Sequence, residues 1–218
     1  MTVEYRPLPF DEAIELFRGK VVLTRAQYDQ LADEVKIRAF TVARIAEADI
    51  ILDVYGAVER ALVEGLSFEA FQKTLDLAAL GWVGESPHRL DTIFRTNIMT
   101  MYQAGHYRQQ MEVVAERPYW QYVATMDIRT RPLHARMHGI VLPANHDFWN
   151  RNYPPNGFNC RCTVISLSDR EVERDRVEVS QRAMPDIADP GFAYNPGLAA
   201  WEPDLSKYPP WLREQIGL

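Results

Sequence analysis

A chain of 218 residues, 47% of them hydrophobic, is long enough to bury a sizeable core in one or two domains. Its formal net charge of −6 and pI near 5.4 argue against a protein built to grip nucleic acid, because a basic face supplies much of that affinity; DNA contact finds no support in the charge. No stretch approaches the roughly 18 consecutive apolar residues of a membrane span, and Met1-Thr2-Val3-Glu4-Tyr5-Arg6-Pro7 lacks the features of a secretory signal, so a cytoplasm is the expected compartment.

The N-terminal half reads as helix. Asp11 opens a short amphipathic stretch to Arg18, which Gly19 ends. Thr24 with Gln27 makes a capping-box pattern. Leu31, Val35, Ile45, Leu52 and Val58 recur at near-helical spacing, which predicts one or two helices through about Glu64. Gly65 punctuates, and Ser67 is placed to cap a helix with the apolar stripe Phe68, Phe71, Leu75 and Leu80. Gly81-Trp82-Val83-Gly84 reads as a loop. Ser86-Pro87 then opens a helix carrying Leu90, Ile93, Phe94, Ile98 and Met101 to about Glu116.

The character changes at Arg117-Pro118. Residues 119–126, rich in aromatic and β-branched side chains, predict a strand. Residues 130–138 predict a short helix with Thr130 as cap, Pro132 in its first turn and Gly139 at its exit. Ile140-Val141-Leu142 predicts a second strand, Tyr153-Pro154-Pro155-Asn156-Gly157 a rigid turn, and residues 160–167 a third strand. The mixed charges of 169–176 suit a solvated helix face. From Ala183 onward prolines, glycines and aromatics predict an extended arm, whose Phe192, Tyr194, Trp201, Tyr208 and Trp211 either dock on the domain or meet a partner. The expected class is α+β: a mainly helical half (1–117), a small antiparallel β module (118–168), and a charged segment with an extended C-terminal arm (169–218).

The residues that carry chemistry converge on the β module. His134 and His138, four apart on a helix, share one face. Cys160 and Cys162, two apart in extended chain, share another. Two imidazoles and two thiolates complete a tetrahedral zinc site, although C-x-C is tighter than the usual C-x₂₋₄-C. The bland alternative keeps both cysteines as small buried hydrophobes and gives His134 a local hydrogen bond. His146 can stand in for His138, whereas His88 and His106 fall away from the cluster. A disulfide across so small a ring is strained. Asp127, Arg129, Arg131, Arg161 and Arg95 are placed for an ion network locking helix to module.

The same stretch carries a resemblance. In order, Arg117-Pro118-Tyr119-Trp120-Gln121-Tyr122, Asp127, Arg131-Pro132, His134, Gly139-Ile140-Val141-Leu142-Pro143, Trp149, Tyr153-Pro154-Pro155-Asn156-Gly157 and Cys160-Arg161-Cys162 resemble the head morphogenesis domain of phage Mu F-like proteins. Arg95-Thr96-Asn97 and Tyr194-Asn195-Pro196-Gly197 are similar to flanking elements of that family, so the likeness spans roughly residues 8–200. It implies a non-enzymatic minor head protein of a tailed phage or prophage, assembled in the host bacterial cytoplasm and resident in the virion head. Its implied partners are the portal and the major capsid protein. It supports His134, Cys160 and Cys162 as a site but not His138, where many relatives carry an acid. The alternatives are a zinc- or thiol-dependent hydrolase built on Cys160 and His134, or a toxin-delivery module packaged in the head. No His-Glu-x-x-His, Gly-rich phosphate loop or Gly-x-Ser-x-Gly is present to favour catalysis.

Overall fold

The structure is a computed structural model that describes residues 10–23, 25–31, 36–37, 39–40, 48–75 and 87–201, with 210 and 214. Helix α1 (Asp11–Arg18) turns Ala13, Ile14, Leu16 and Phe17 inward, with acids in its first turn and Arg18 in its last, as the helix dipole favours. Strand β1 (Val21–Val22), the single turn α2 (Arg25–Tyr28) and strand β2 (Ala39–Phe40) follow. Helix α3 (Ala48–Glu64) buries the stripe Ile51, Val54, Val58 and Ala61. It ends as a Schellman turn: Gly65 is left-handed (φ 63°) and the Leu66 N–H donates to the Ala61 carbonyl at 3.0 Å. The Ser67 hydroxyl caps α4 (Phe68–Lys73) by accepting the Ala70 N–H. The 26-residue α5 (Pro87–Glu112) then runs through the whole molecule.

Three expectations for this half need correction. The pattern from Ala26 to Glu64 predicts helix throughout, yet β2 pairs in parallel with β1, Val21 opposite Ala39 and Val22 opposite Phe40. Tertiary packing overrides local pattern there: Phe40 is fully buried edge-on to Phe17 and Tyr55, with ring centroids 5.9 and 5.4 Å apart. Leu52, counted in the stripe, is half exposed, one residue off the buried face. Helix α5 stops at Glu112 rather than Glu116, and turns lead into the sheet. Thr24, Val35, Ile45, Leu80, the 81–84 loop and Ser86 lie outside the described residues.

The second half builds one three-stranded antiparallel sheet in the order β4-β3-β5: β3 (Tyr119–Val123) is central, with β4 (Val141–Pro143) and β5 (Thr163–Leu167) on either side. Alternation along β3 sends Trp120 and Tyr122 into a core with Trp149 and Phe148 from α7 (Phe148–Asn152) and with Tyr153. Their rings meet edge to face at 5.1 to 6.3 Å, and fully burying a side chain of this size contributes about 1.5–3 kcal/mol. Helix α6 (Pro132–Met137) crosses between β3 and β4, and α8 (Asp169–Asp175) lies on the surface behind a Ser168–Glu171 capping box. Thr130 does not cap α6; Arg131 holds that position, and the Thr130 hydroxyl donates to the Thr125 carbonyl instead.

The predicted Arg-based lock between helix and module is replaced by buried amides. Gln103 of α5 donates to the Cys162 carbonyl (3.1 Å), Gln110 donates to the Val164 carbonyl (3.3 Å), and Gln110 accepts the Tyr153 hydroxyl (2.6 Å). Arg95 pairs with Asp91 on its own helix, and Arg131 reaches Asp189. The arm is docked through its described length. The Ile187 N–H donates to Asn152, Asn195 donates to the Trp149 carbonyl, and the Asn195 side chain caps α9 (Pro196–Trp201) against α5. Phe192 is buried edge-on to Phe158. The side chain of Trp201, and all of Tyr208 and Trp211, lie outside the described residues. Among the described residues no helix is long and apolar enough to cross a membrane.

Candidate metal centre

His134 is the third residue of α6, where Pro132 sets the first turn and burial of Met137 fixes the inward face. The ring is 2% exposed and turns Nδ1 toward two sulfurs, Cys160 Sγ at 3.7 Å and Cys162 Sγ at 3.6 Å. Both cysteines are free and buried. They precede β5 instead of lying within it, on a turn where Asn159 is left-handed (φ 57°) and the Cys160 N–H donates to the Gly157 carbonyl. The three donor atoms lie within 4.8 Å of one another. Zn–S of about 2.3 Å and Zn–N of about 2.0–2.1 Å at the tetrahedral angle give a sulfur–nitrogen edge of about 3.6 Å. The donor set therefore fits a tetrahedral metal without rearrangement.

Electrostatics supports the same use. The two thiols sit against each other, and the hydrogen bond from Cys162, followed by that from His134, holds the Cys160 thiol well below its ordinary pKa. The Cys162 thiol is pushed up, first by its bond to Cys160 and then by burial. A cation bound between the sulfurs would draw both protons off, because the thiolate is the ligand form. His134 Nε2 is buried without a partner, so packing and the sulfurs orient the ring.

The surrounding residues make a rigid frame. Arg161, between the cysteines, turns outward and grips Asp127 through two 2.7 Å bonds; this fork holds the Asp127 carboxyl far below the usual carboxylate range. Asp127 also accepts the Arg129 N–H, and the Thr125 hydroxyl donates to the Arg161 carbonyl. Arg131 donates to the Phe158 carbonyl and pairs with Asp189, tying the frame to the arm. Gly139 takes the left-handed conformation (φ 84°) that turns the chain from α6 into β4. Pro154 and Pro155, joined by a cis bond, are buried beneath the cysteine turn. Over the donors is a cavity of only about 10 Å³, lined by Thr125, Arg129, Thr130, Arg131 and Asn159. That is room for about one water and for no substrate.

His138, the fourth ligand expected from the sequence, stands outside the cluster. The helix has ended at Met137, His138 is extended (φ −57°, ψ 125°), and its Nδ1 accepts the Ala124 N–H at 3.2 Å. His146 is also committed elsewhere, with Nε2 on the Arg182 carbonyl and Nδ1 accepting the Phe148 N–H. His106 bonds to the Val164 carbonyl at the helix–sheet seam. Sequence reasoning missed Gln103, Gln110 and Asn152, and named Asn156 and Asn195 only within motifs; all five are buried amides that fix the frame.

A family model described as Phage Mu protein F like protein matches residues 53–165. The chain is 43% identical over 195 residues to the putative capsid assembly protein F of Escherichia phage Mu, covering 81% of this chain and 44% of that protein. It is 40% identical over 167 residues to the Mu-like prophage FluMu F protein of Haemophilus influenzae, covering 70% of this chain and 40% of that protein. The chain thus spans less than half the length of these curated relatives. No solved structure matches it.

Proposed function

The chain belongs to the Phage Mu protein F-like family, and on that footing we propose that it is a non-catalytic assembly component of a tailed-phage or prophage head, one that binds the portal or the inner face of the capsid. The observation that carries this reading is its 43% identity, across 195 residues, to a protein named for capsid assembly. The tight frame around His134, with space for about one water, favours a structural over a catalytic use of the cysteines. In this reading residues 1–117 are the platform, 118–168 the rigid module and 169–218 the arm that adds contact surface. The test is co-expression with the portal and major capsid proteins of the same phage or prophage. Co-elution with either protein through size exclusion is expected. Failure to associate with both, alone or in assembled shells, contradicts the proposal.

In this reading His134, Cys160 and Cys162 would hold a single zinc ion. Such a site fixes α6 to the cysteine turn, because metal binding free energy becomes folding free energy. Elemental analysis of protein purified without chelator should give close to one zinc per chain. Protein that is folded and free of any transition metal rules the ion out and leaves the assembly role standing.

A further inference from the structure

A second and larger cavity lies where the β1–β2 strip, the N-terminal half of α5, Phe158 of the cysteine turn and the docked arm meet. Its volume is about 560 Å³, within the roughly 300–1,000 Å³ of small-ligand sites. Ile37, Phe40, Phe158 and Phe192 give it apolar walls, and no Asp or Glu is found among the described lining residues.

Two polar groups on those walls are left incompletely satisfied among the described residues. There the Lys20 ammonium meets the Ala39 carbonyl, at 3.4 Å, and the Phe17 ring face, at 6.0 Å, and no carboxylate. The other cations on the cavity wall are occupied: Arg25 is held by Asp29, and Lys36 and Arg89 each have partners of their own. Lys20 keeps some solvent contact, yet burial alone draws its pKa down to about 7. On the facing helix the Thr96 hydroxyl oxygen is buried and makes no hydrogen bond. A desolvated ammonium without a counter-ion and an orphaned hydroxyl both cost stability, and a fold keeps such groups together where a ligand completes them.

We propose that this cavity binds a carboxylate borne on an apolar body. The carboxylate pairs with Lys20 Nζ and accepts a hydrogen bond from the Thr96 hydroxyl, and the body packs between Phe40, Phe158 and Phe192. One cation and one hydroxyl match a single negative charge; a phosphate is better served by the bidentate fork of a free Arg. The net charge of −6 further disfavours a nucleic-acid strand. The carboxylate can come from a peptide chain, as an acidic side chain or C-terminus beside an apolar residue, or from a small organic acid. The proposal does not rest on the head-assembly reading.

The test uses the full chain and two acid–amide probe pairs. One is 4-phenylbutyrate with its neutral amide; the other is the peptide acetyl-Ala-Ala-Phe with a free or an amidated C-terminus. Calorimetric titration should show each acid binding at least tenfold more tightly than its amide. Lys20→Met should bring acid and amide within about twofold, and Thr96→Val should weaken the acid alone. Tighter binding of the peptide acid assigns a protein-chain source, and tighter binding of phenylbutyrate a small-molecule source. Equal affinity for acid and amide, survival of the preference in Lys20→Met, or no saturable binding of any probe overturns the proposal. Lys20→Met removes an unpaired buried cation, so the variant should fold at least as well as the parent, and a thermal melt beside the titration checks this.

Discussion

Replacing Gln110 with Leu cuts the seam between α5 and the sheet at a buried amide that bonds to both sides. Gln110 is 3% exposed and accepts the hydroxyl of Tyr153, which is fully buried, at 2.6 Å. Its amide also donates to the Val164 carbonyl, but that carbonyl keeps a second partner in His106 at 2.9 Å. The substitution therefore strands one group, the Tyr153 phenol. A stranded buried donor costs about 1–3 kcal/mol, and the lost amide–carbonyl bond adds about 0.5–1. A total near 2–3 kcal/mol lowers the Tm of a chain this size by about 5–10 °C. The assay is a circular-dichroism melt of Gln110→Leu beside Gln109→Ala, whose amide makes a solvent-exposed bond to Glu12 and whose change should stay within about 0.5 kcal/mol. Tyr153→Phe in the Gln110→Leu background removes the stranded group, so the double variant should recover about 1 kcal/mol relative to additivity. Melting of Gln110→Leu within a degree of the parent, or strict additivity with Tyr153→Phe, refutes this reasoning.

The metal reading separates two histidines four residues apart: His134→Ala should abolish zinc retention, whereas His138→Ala should leave stoichiometry unchanged, both read by elemental analysis. Gly197→Ala should undock α9, because a methyl group there meets the Tyr107 ring 2.3 Å away, and that ring is wedged against Trp120 and Tyr153; the expected result is a Tm loss of several degrees and faster proteolysis after residue 185. Arg161 holds the Asp127 carboxyl below its ordinary range, so the clamp's contribution is present above the unfolded carboxylate value of about 4 and fades only as pH falls through the lower folded pKa. Arg161→Ala should return Asp127 to titration near 4 by carbon-13 NMR; an unchanged titration contradicts the clamp.

Much of this was legible because local chemistry and tertiary packing agree. Gly19 and Gly65 end helices where the sequence placed them, and Ser67 caps where it should. The alternation of Tyr119, Trp120, Gln121 and Tyr122 identified the central strand. His134, Cys160 and Cys162 converge because a short helix and an extended turn both face the core. His138 was misplaced because i,i+4 spacing implies a shared face only while the helix lasts, and α6 ends one residue earlier. The β1–β2 pairing was illegible since Ala39 and Phe40 carry no alternating run; the Phe17 and Tyr55 rings hold Phe40 there. The seam was missed for a different reason. Gln103, His106 and Gln110 follow helical spacing on one face, but they are polar, and a search for apolar stripes passes over them. Asn152 and Asn156, four apart around the Pro154-Pro155 turn, hide likewise: burial of an amide is settled by its partners, here the Ile187 N–H and the Asn152 carbonyl.

The assembly role is tested most directly by quantitative mass spectrometry of gradient-purified heads produced from the gene cluster that encodes this chain. Expected is a fixed, low copy number per head that stays with the particle through the gradient, and a fall in head yield when the gene is deleted. Heads that lack the chain, produced at undiminished yield and infectivity by the deletion, would contradict its assignment as a head assembly component.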